Sequence, residues 1–327
     1  MTHSESNELL DDVIKYDRLE LDPNIIGSGG SASVRVAYCN NTLAKFAVKI
    51  FNESSREEII KEIKITKIAS HHPNIIRFYG ITKLQGKPNY SLVLEYANGG
   101  TLRNYLRTNI ETFKWEGQFQ FAKEIASAVS WLHHKKVIHG DINPNNVLIH
   151  QQTIRLADFG CSRLQGDKVS TRPRCTIPYV DPNFFYGFCD LTEKSDIYSL
   201  ALVFWELTSC SLPFDYETKK NDYQIMLDIY NGIRENPIPN TNIKFVALYQ
   251  KCWKYEPNER PDICEVISDL NSIDPIKSEN NELLTDFDSK ESEKSALTKK
   301  IEDQDLSNCE KECDLNSGEY QNAISHL

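Results

Sequence analysis

Apolar and polar residues alternate along the first third of the chain with the period of β-strands. This alternation is bounded by glycine, proline and asparagine, and it predicts strands rather than helices. The predicted strands cover residues 19–26, 34–38, 45–51, 75–82 and 90–95. One segment differs, because Ser54 and Ser55 precede apolar residues at helical spacing. It predicts one helix, whose apolar residues are Ile59, Ile60, Ile63, Ile65 and Ile68.

Beyond residue 97 the apolar spacing changes to the helical period. A short helix is predicted at residues 102–106 and a long one at residues 115–134. The long helix has one apolar face, formed by Phe119, Ala122, Ile125, Ala126, Val129 and Leu132. Further amphipathic segments follow up to residue 273. A strand-rich part followed by a larger helix-rich part is the organisation of an α+β fold.

The two ends of the chain differ in composition from the part between them. Residues 1–18 are a polar leader, in which a short apolar-periodic piece predicts either a helix against the domain or a frayed terminus. Residues 274–327 are rich in Ser, Glu, Asn and Lys; after Asp274, 13 acidic residues stand against six lysines. This composition predicts a mostly disordered acidic tail that folding does not require.

Composition also excludes several classes of function. The net charge of −10 argues against non-specific binding to nucleic acid or to anionic membranes. The start of the chain is unlike a signal peptide, and the longest apolar run, residues 200–205, is too short to span a bilayer. The nine cysteines form no Cys-x-x-Cys pair and are interpreted as reduced thiols. We therefore expect a cytoplasmic protein.

Candidate chemistry is concentrated in residues 137–148 and in a turn ten residues further on. Asp141 lies in a loop between β-branched segments, where its carboxylate can accept a proton from a hydroxyl group. Asn146 offers a neutral oxygen, and Asp158 a second carboxylate, to a hard cation such as Mg²⁺. Alone, Asp141 would be interpreted as a turn-capping residue. Two oxygen ligands beside a base suit metal-assisted phosphoryl transfer.

Two further features can bind phosphate. Residues 27–34 place glycines between two predicted strands, where backbone N–H groups can approach phosphate oxygens. No Gly-Lys-Ser/Thr follows, which excludes a Walker loop, and the following strand argues against a dinucleotide site. Lys49 ends the next apolar strand. In isolation, these features are more typical of a hairpin turn without ligand and of a solvated edge lysine.

Together these motifs resemble those of the protein kinases, in the same order along the chain. H-R-D-L-x-x-x-N corresponds to residues 139–146, D-F-G to 158–160, G-x-G-x-x-G-x-V to 27–34 and V-A-I-K to 46–49. The Tyr-Val-Asp-Pro and Asp-Ile-Tyr-Ser segments are most similar to the tyrosine-kinase-like branch of Ser/Thr kinases.

The resemblance implies a two-lobed protein-kinase-like fold of the α+β class. A small antiparallel β-sheet lobe with one helix, residues 19–96, would precede a larger, mainly helical lobe, residues 97–273, with ATP in the cleft. The implied activity is transfer of the γ-phosphoryl group of Mg-ATP to Ser or Thr hydroxyls of protein substrates.

The resemblance also implies roles for individual residues. The implied catalytic residues are Lys49, Glu62, Asp141, Asn146 and Asp158. Asp141 would be the base, Lys49 would hold phosphates and pair with Glu62, and Asn146 and Asp158 would bind Mg²⁺. Glu58, one helical turn before Glu62, is the alternative partner of Lys49. The implied nucleotide-contacting residues are Ile26, Gly27, Ser28, Gly29, Gly30, Ala32, Val34, Ala47, Lys49, Glu95, Ala97 and Leu148.

Departures from the family pattern lead to specific expectations. Ala32 replaces the third glycine, the smallest possible change. Asn143 replaces a lysine that donates to the γ-phosphate, so that only a neutral carboxamide would donate and the enzyme would be slow. Gly140 replaces an arginine that clamps a phosphorylated segment, so activity is expected not to need that phosphate; Arg172 and Arg174 are the alternative clamp. The alternative is a pseudokinase, acting as an ATP-binding or scaffolding module.

Three more positions carry expectations from the resemblance. Asn183 replaces a glutamate that bonds an arginine, whose counterpart here is Arg260, which predicts a neutral Asn183–Arg260 hydrogen bond. Asp196 would brace the catalytic loop, or would simply be a charge at a helix N-terminus. The available phosphate acceptors near the D-F-G turn are Ser162, Ser170 and Thr171.

Overall fold

A computed structural model describes most of the chain between residues 19 and 274. The described ranges are 19–39, 44–52, 54–167, 176–185, 191–215 and 222–274. The predicted leader and nearly all of the predicted tail lie outside these residues, as do Ser170, Thr171, Arg172 and Arg174.

The strand-rich part forms one antiparallel five-stranded sheet, with spatial order β1-β2-β3-β5-β4. The strands are β1 Leu19–Ser28, β2 Ala32–Cys39, β3 Lys45–Phe51, β4 Phe78–Thr82 and β5 Ser91–Glu95. β3 matches its prediction residue for residue. β4 begins later than predicted, because Ile75 pairs with Leu156 in an isolated parallel bridge instead.

One helix, α1 (Arg56–Ala69), packs against this sheet. Its start is fixed by a reciprocal cap: the Ser55 hydroxyl accepts from the Glu58 amide, and the Glu58 carboxylate accepts from the Ser55 amide. Ile59 and Ile63 join a buried cluster with the sheet residue Phe51. The cap and this apolar face together set the rotation of α1, and with it the position of Glu62.

The helix-rich part follows β5. Its described helices are α2 Leu102–Thr108, α3 Trp115–His134, α4 Pro182–Phe185, α5 Glu193–Ser209, α6 Asp222–Tyr230, α7 Ile243–Cys252 and α8 Ile263–Asn271. Two small antiparallel sheets lie between α3 and α4. They pair β6 (Val137–Ile138) with β9 (Arg163–Leu164), and β7 (Val147–His150) with β8 (Thr153–Leu156).

Helix α5 is the centre of this part. Almost every residue from Ser195 to Leu207 is buried, whereas an amphipathic surface helix would expose one face. Helices α3 and α7 pack against it. The predicted two-lobed α+β fold is confirmed. Across the described ranges, no helix combines the length and the apolar content that membrane crossing requires.

Candidate active site

Lys49 connects the two parts of the molecule. Its Nζ, on β3, lies 2.6 Å from Glu62 Oε1 on α1 and 2.7 Å from Asp158 Oδ1, in the turn after β8. Lys49 and Glu62 are buried. The structure thus brings three of the predicted site residues into contact. Glu58, the alternative partner of Lys49, caps α1 instead.

The charges of Lys49, Asp158 and Glu62 influence one another's ionisation. Burial by itself would favour a neutral amine, but the carboxylates of Asp158 and Glu62 outweigh it and raise the pKa of Lys49. Partial desolvation opposes ionisation of Asp158, whose side chain is about half exposed, yet the charge and hydrogen bond of Lys49 lower the pKa of that carboxyl. Burial raises the pKa of Glu62, and Lys49 counteracts this only in part. Lys49 therefore pairs with both carboxylates, at 2.6 Å and 2.7 Å.

Asp158 has a strained backbone that its neighbours maintain. Its φ is +64°, in the left-handed region that non-glycine residues rarely adopt. Asp158 Oδ1 accepts from the Gly160 amide at 3.1 Å. The next side chain, Phe159, is buried, with its ring centroid 5.3 Å from that of His139. Strain of this kind persists where packing over-determines it, and it is concentrated at functional sites.

Amide groups hold Asp141 from both sides. Asn146 Nδ2 donates to Asp141 Oδ2 at 2.7 Å, and Asn143 Nδ2 donates to Oδ1 at 3.0 Å. Both amides also donate to the backbone oxygen of Asp141, at 2.8 and 3.2 Å. Asn143 is only 1% exposed. Its two amide hydrogens are thus already used, which corrects the expectation that the carboxamide donates to a phosphate.

The surroundings of Asp141 bring its protonation into the neutral range. Burial and the nearby charge of Asp158 raise the pKa of Asp141 to about 7, against hydrogen bonds from Asn146, the Thr176 amide and Asn143. A general base with a pKa near the working pH is deprotonated in a large fraction of molecules and still binds the transferred proton strongly. Asp141 is therefore suited to accept a proton from a hydroxyl group.

The loop that carries Asp141 is braced from α5. Asp196 is fully buried, and its two carboxylate oxygens accept from the backbone amides of His139 at 2.9 Å and Gly140 at 2.8 Å. His133 Nε2 lies 2.9 Å from the same carboxylate. Asp196 thus makes the bracing contacts that the resemblance implies, in addition to its place in the first turn of α5.

The backbone conformation and the neighbours of Gly140 explain why this position carries a glycine. Its φ is +78°, a region where a Cβ is disfavoured. An added Cβ would lie 3.0 Å from both the backbone oxygen of Cys161 and a methyl carbon of Leu191. Any side chain here would therefore displace the segment after Asp158. Sequence reasoning could not find this, because the two neighbours are remote in the chain.

The predicted nucleotide-contacting residues are distributed over several elements. In the glycine-rich turn, Gly27 pairs with Val34, and the Gly29 amide donates to Ala32 O at 2.9 Å. Ala32 is buried in the α1 cluster, so its methyl group contributes to packing. The other predicted residues are Ile26 and Ser28 on β1, Gly30 in the turn, Ala47 on β3, Glu95 ending β5, Ala97 after it, and Leu148 on β7.

Arg260 has a different partner from the one predicted. Asp181 accepts from it with both oxygens, at 2.6 and 2.9 Å, and both side chains are buried. Asn183 instead donates to Tyr255 O at 2.9 Å and to Asp181 at 3.2 Å. The predicted neutral Asn183–Arg260 bond is wrong, because the carboxylate is retained two residues earlier in the chain. Alignment with the family motif placed the replaced glutamate at Asn183, so only that position was considered as the partner of Arg260. Asp181 was therefore missed.

A second polar group that sequence reasoning missed lies beneath the same segment. Arg103 on α2 donates to the Tyr179 hydroxyl at 2.7 Å, and that hydroxyl donates to Glu206 on α5. Glu206 is 2% exposed, and burial raises its pKa to about 7 despite Arg103 and the Tyr179 hydrogen bond. The three residues are far apart in sequence and share no motif, so no sequence signal joins them.

Glu206→Gln should reduce the pH dependence of stability. A carboxyl whose pKa is raised from 4.5 to about 7 on folding binds its proton more tightly in the folded state. Stability is then lost as pH rises through this range, by about 3 kcal/mol in total. Glutamine keeps an acceptor for Tyr179 but has no charge. Urea unfolding at pH 5 and pH 8 should show a smaller loss for the variant, whereas the exposed control Glu259→Gln should follow the parent. Parallel profiles for Glu206→Gln and parent would contradict the assignment.

The expectation that Ser162 is an available phosphate acceptor is wrong. Its side chain is 1% exposed, and its hydroxyl donates to His139 O at 2.8 Å. Phosphorylation there would need both burial and hydrogen bond to be broken. Ser162 is a structural link between the D-F-G turn and the loop that carries Asp141.

The chemistry of the donor set fits a divalent cation. Asp158 is about half exposed and uses Oδ1 for Lys49 and Gly160. Asn146 turns its amide nitrogen toward Asp141, which leaves its carbonyl oxygen for another partner. A carboxylate and an amide oxygen are ligands that Mg²⁺ accepts. The residues present therefore suit the metal that the fold implies.

Comparisons with known proteins agree with this geometry. A family model described as the protein kinase domain matches residues 22–270. The putative serine/threonine-protein kinase/receptor R826 of Acanthamoeba polyphaga mimivirus is 32% identical over 273 residues, covering 80% of this chain and 16% of that protein.

Two Arabidopsis thaliana proteins are also similar. The LEAF RUST 10 disease-resistance locus receptor-like protein kinase-like 1.4 is 30% identical over 273 residues, which are 76% of this chain and 41% of that protein. The serine/threonine-protein kinase STY17 is 26% identical over 267 residues, which are 80% of this chain and 45% of that protein. The chain thus spans less than half the length of these relatives. The family match covers most of the chain, and the chain belongs to the protein kinase family.

Proposed function

We propose that this chain transfers the γ-phosphoryl group of Mg-ATP to Ser or Thr hydroxyls of protein substrates, as a kinase of the tyrosine-kinase-like branch. The observation that carries the proposal is the contact of Lys49 with both Glu62 and Asp158. This contact joins the β-sheet lobe to the metal-binding turn and holds a cation where phosphates would bind. The Ser/Thr names of the relatives support the choice of acceptor.

Each side chain has a distinct task in this mechanism. Lys49 attracts the phosphate oxygens, and Glu62 fixes its position. Asp158 and Asn146 would hold Mg²⁺, which would neutralise charge on phosphate oxygens when bound. Asp141 accepts the proton of the substrate hydroxyl. Asp196 keeps the loop of Asp141 in place through the backbone amides of residues 139 and 140.

One observation favours a second candidate, an ATP-binding module without efficient transfer. Asn143 stands where the family carries a lysine, and both of its amide hydrogens are used on Asp141. No cation other than Lys49 is brought to this cluster by the described residues that contact Asp141 or Asp158. Developing negative charge would therefore be stabilised less than in relatives that carry the lysine.

Variants of the site should separate the two candidates. Lys49→Met and Asp158→Asn should each abolish the Mg-dependent thermal stabilisation by ATP, which amounts to about 2.7 kcal/mol at 100 times the Kd. Asp141→Asn should keep that stabilisation and lose transfer to a generic protein acceptor. Lys61→Met, an exposed lysine on α1, is the matched control and should behave like the parent. If the Lys49 and Asp158 variants bind ATP as the parent does, the proposed site is wrong. If the parent binds ATP but transfers nothing, the binding module is favoured.

Activity should not depend on phosphorylation of the segment after Asp158. Gly140 carries no charge with which to hold a phosphate, and Ser162 is buried. Phosphatase treatment of the purified chain should therefore leave the rate of transfer within about twofold. The treated protein is compared with a mock-treated sample in the same assay; a loss of about tenfold or more would show that another cation replaces the missing arginine.

A further inference from the structure

A second cleft, of about 590 Å³, lies apart from the contacts of Lys49. It is formed by the end of α1, the loop after it, the start of β4, the end of β5 and β8. Among the predicted site residues, only Glu95 lines it. We call it the basic cleft, defined by Lys67, Ser70, Arg77, Glu95 and Arg155.

The basic cleft is positively charged on a negatively charged protein. Lys67, Arg77 and Arg155 contribute three permanent cations, and Glu95 contributes one carboxylate. His72 also lines the cleft but stays neutral, because burial lowers its pKa and its Nδ1 accepts from the Asn74 amide at 3.1 Å. The chain as a whole carries a net charge of −10. A local excess of positive charge on such a surface selects anionic ligands.

The carboxylate in the cleft is already engaged. Glu95 Oε2 accepts from Arg155 Nε at 3.1 Å, and Oε1 lies 3.6 Å from His150 Nε2. Arg155 Nη1 donates to Thr153 Oγ1 at 2.7 Å and to Ile154 O at 3.0 Å. These bonds fix the Arg155 guanidinium in place and use the hydrogens of its Nε and Nη1. Its Nη2 hydrogens make no hydrogen bond to the described residues.

Two more donors face the cleft. Arg77 is exposed, with its guanidinium 5.4 Å from the centre of the Tyr79 ring, and no described carboxylate lies within ion-pair distance of it. Ser70 Oγ accepts from the Phe78 amide at 2.7 Å, which leaves its hydroxyl hydrogen to donate. Guanidinium and hydroxyl donors together match an anion with several oxygens, and arginine suits phosphate in particular.

We propose that the basic cleft binds a phosphorylated segment of a partner protein, through the dianionic phosphate of a phosphoserine or phosphothreonine. The volume greatly exceeds that of a phosphate ion, and Pro73, Phe78 and Tyr79 supply apolar surface for the residues that flank it. The net charge of −10 disfavours long polyanions such as nucleic acid, whereas one phosphate needs only local positive charge. Binding here does not require catalysis, so the proposal stands or falls independently of the proposed function.

Retention of a peptide library tests this proposal. The probe is a degenerate library with a central phosphoserine, applied without ATP to the immobilised full chain, and the unphosphorylated library is its counterpart. The phosphorylated library should be retained at least about fivefold more strongly, because charge-assisted hydrogen bonds are lost without the phosphate. Equal retention of the two libraries would overturn the proposal.

Variants locate the binding surface. Arg77→Gln and Lys67→Gln should each reduce phosphopeptide retention at least about threefold, and the double variant at least about tenfold. Lys61→Gln removes the same charge from an exposed position on α1 outside the cleft and should retain the peptides as the parent does. An equal loss with Lys61→Gln, or none with the double variant, would assign the binding to general charge and overturn the proposal.

Calorimetric titration distinguishes the source of the phosphate. The most enriched phosphopeptide should bind at least about tenfold more tightly than inorganic phosphate, since its flanking residues contact the apolar surface. Equal affinities would show a site for small phosphates and overturn the assignment to a protein segment. The ATP-dependent thermal shift of Arg77→Gln is measured in parallel and should equal that of the parent, because Arg77 lies outside the proposed active site.

Discussion

Asp181→Asn is expected to lower the free energy of unfolding by about 3–5 kcal/mol. The Asp181 carboxylate meets the buried Arg260 guanidinium with two hydrogen bonds of 2.6 and 2.9 Å. Removing that charge leaves a buried cation with only neutral acceptors, the backbone oxygens of Lys194, Lys254 and Tyr255. Breaking one side of a buried ion pair costs far more than losing an exposed one.

Two further variants make this measurement decisive. Asp269→Asn removes a carboxylate from an ion pair with Lys251 that is about half exposed, and should cost less than about 1 kcal/mol. Asn183→Glu, added to Asp181→Asn, returns a carboxylate to the position where other kinases carry it and should recover at least about half of the loss. Urea unfolding gives the free energy of unfolding of the parent and of the three variants. A cost for Asp181→Asn no larger than for Asp269→Asn would contradict the role given to the pair.

Asn143→Lys is expected to raise the rate of phosphoryl transfer by at least about tenfold and by up to about a thousandfold. Asn143 donates both amide hydrogens to Asp141, and it adds no charge to the site. A lysine at this position can keep a donor toward Asp141 and also bring a cation to the developing charge on the phosphoryl group. Because removal of one such donor costs about 3–4 kcal/mol in enzymes, its addition should be visible in kcat.

The measurement is a single-turnover assay with radiolabelled ATP and a generic acceptor. Asn143→Met is the matched control, since it has a similar length without charge and should not raise the rate. The affinity for ATP should stay within about threefold, because Lys49 and Asp158 are untouched. If the parent and Asn143→Lys are equally inactive, the chain is a binding module rather than a slow enzyme.

Local patterns were sufficient to predict much of the fold. The helix at residues 115–134 and the strand at 45–51 match the structure at both ends, because each has strong periodicity and clear boundaries. The strand at 75–82 begins later because Ile75 pairs with Leu156, a residue about eighty positions away. No local signal reports such a pairing.

The candidate site shows the same division between local and long-range information. The resemblance to the protein kinases implied that Lys49 pairs with Glu62 and shares a site with Asp158, and the contacts are consistent with this. Motif spacing did not predict that Asp181 binds Arg260, nor that Ser162 is buried, since both depend on which remote segments meet. The change to Asn183 was interpreted as the loss of a charged partner for Arg260, whereas the structure shows that Asp181 supplies that carboxylate.

Helix α5 sets a limit on which part of the molecule can move. It presents Asp196 to the Asp141 loop, and its Ser199 and Glu206 to the backbone oxygen and hydroxyl of Tyr179. The loop of the proposed base and the segment of Tyr179 are therefore fastened to a single helix that solvent scarcely reaches. In the proposed kinase, opening of the cleft for nucleotide exchange would then fall to the opposite lobe, through rotation about the short connection between β5 and α2. Resistance to that rotation, rather than rearrangement around Asp141, would set how fast a nucleotide can leave.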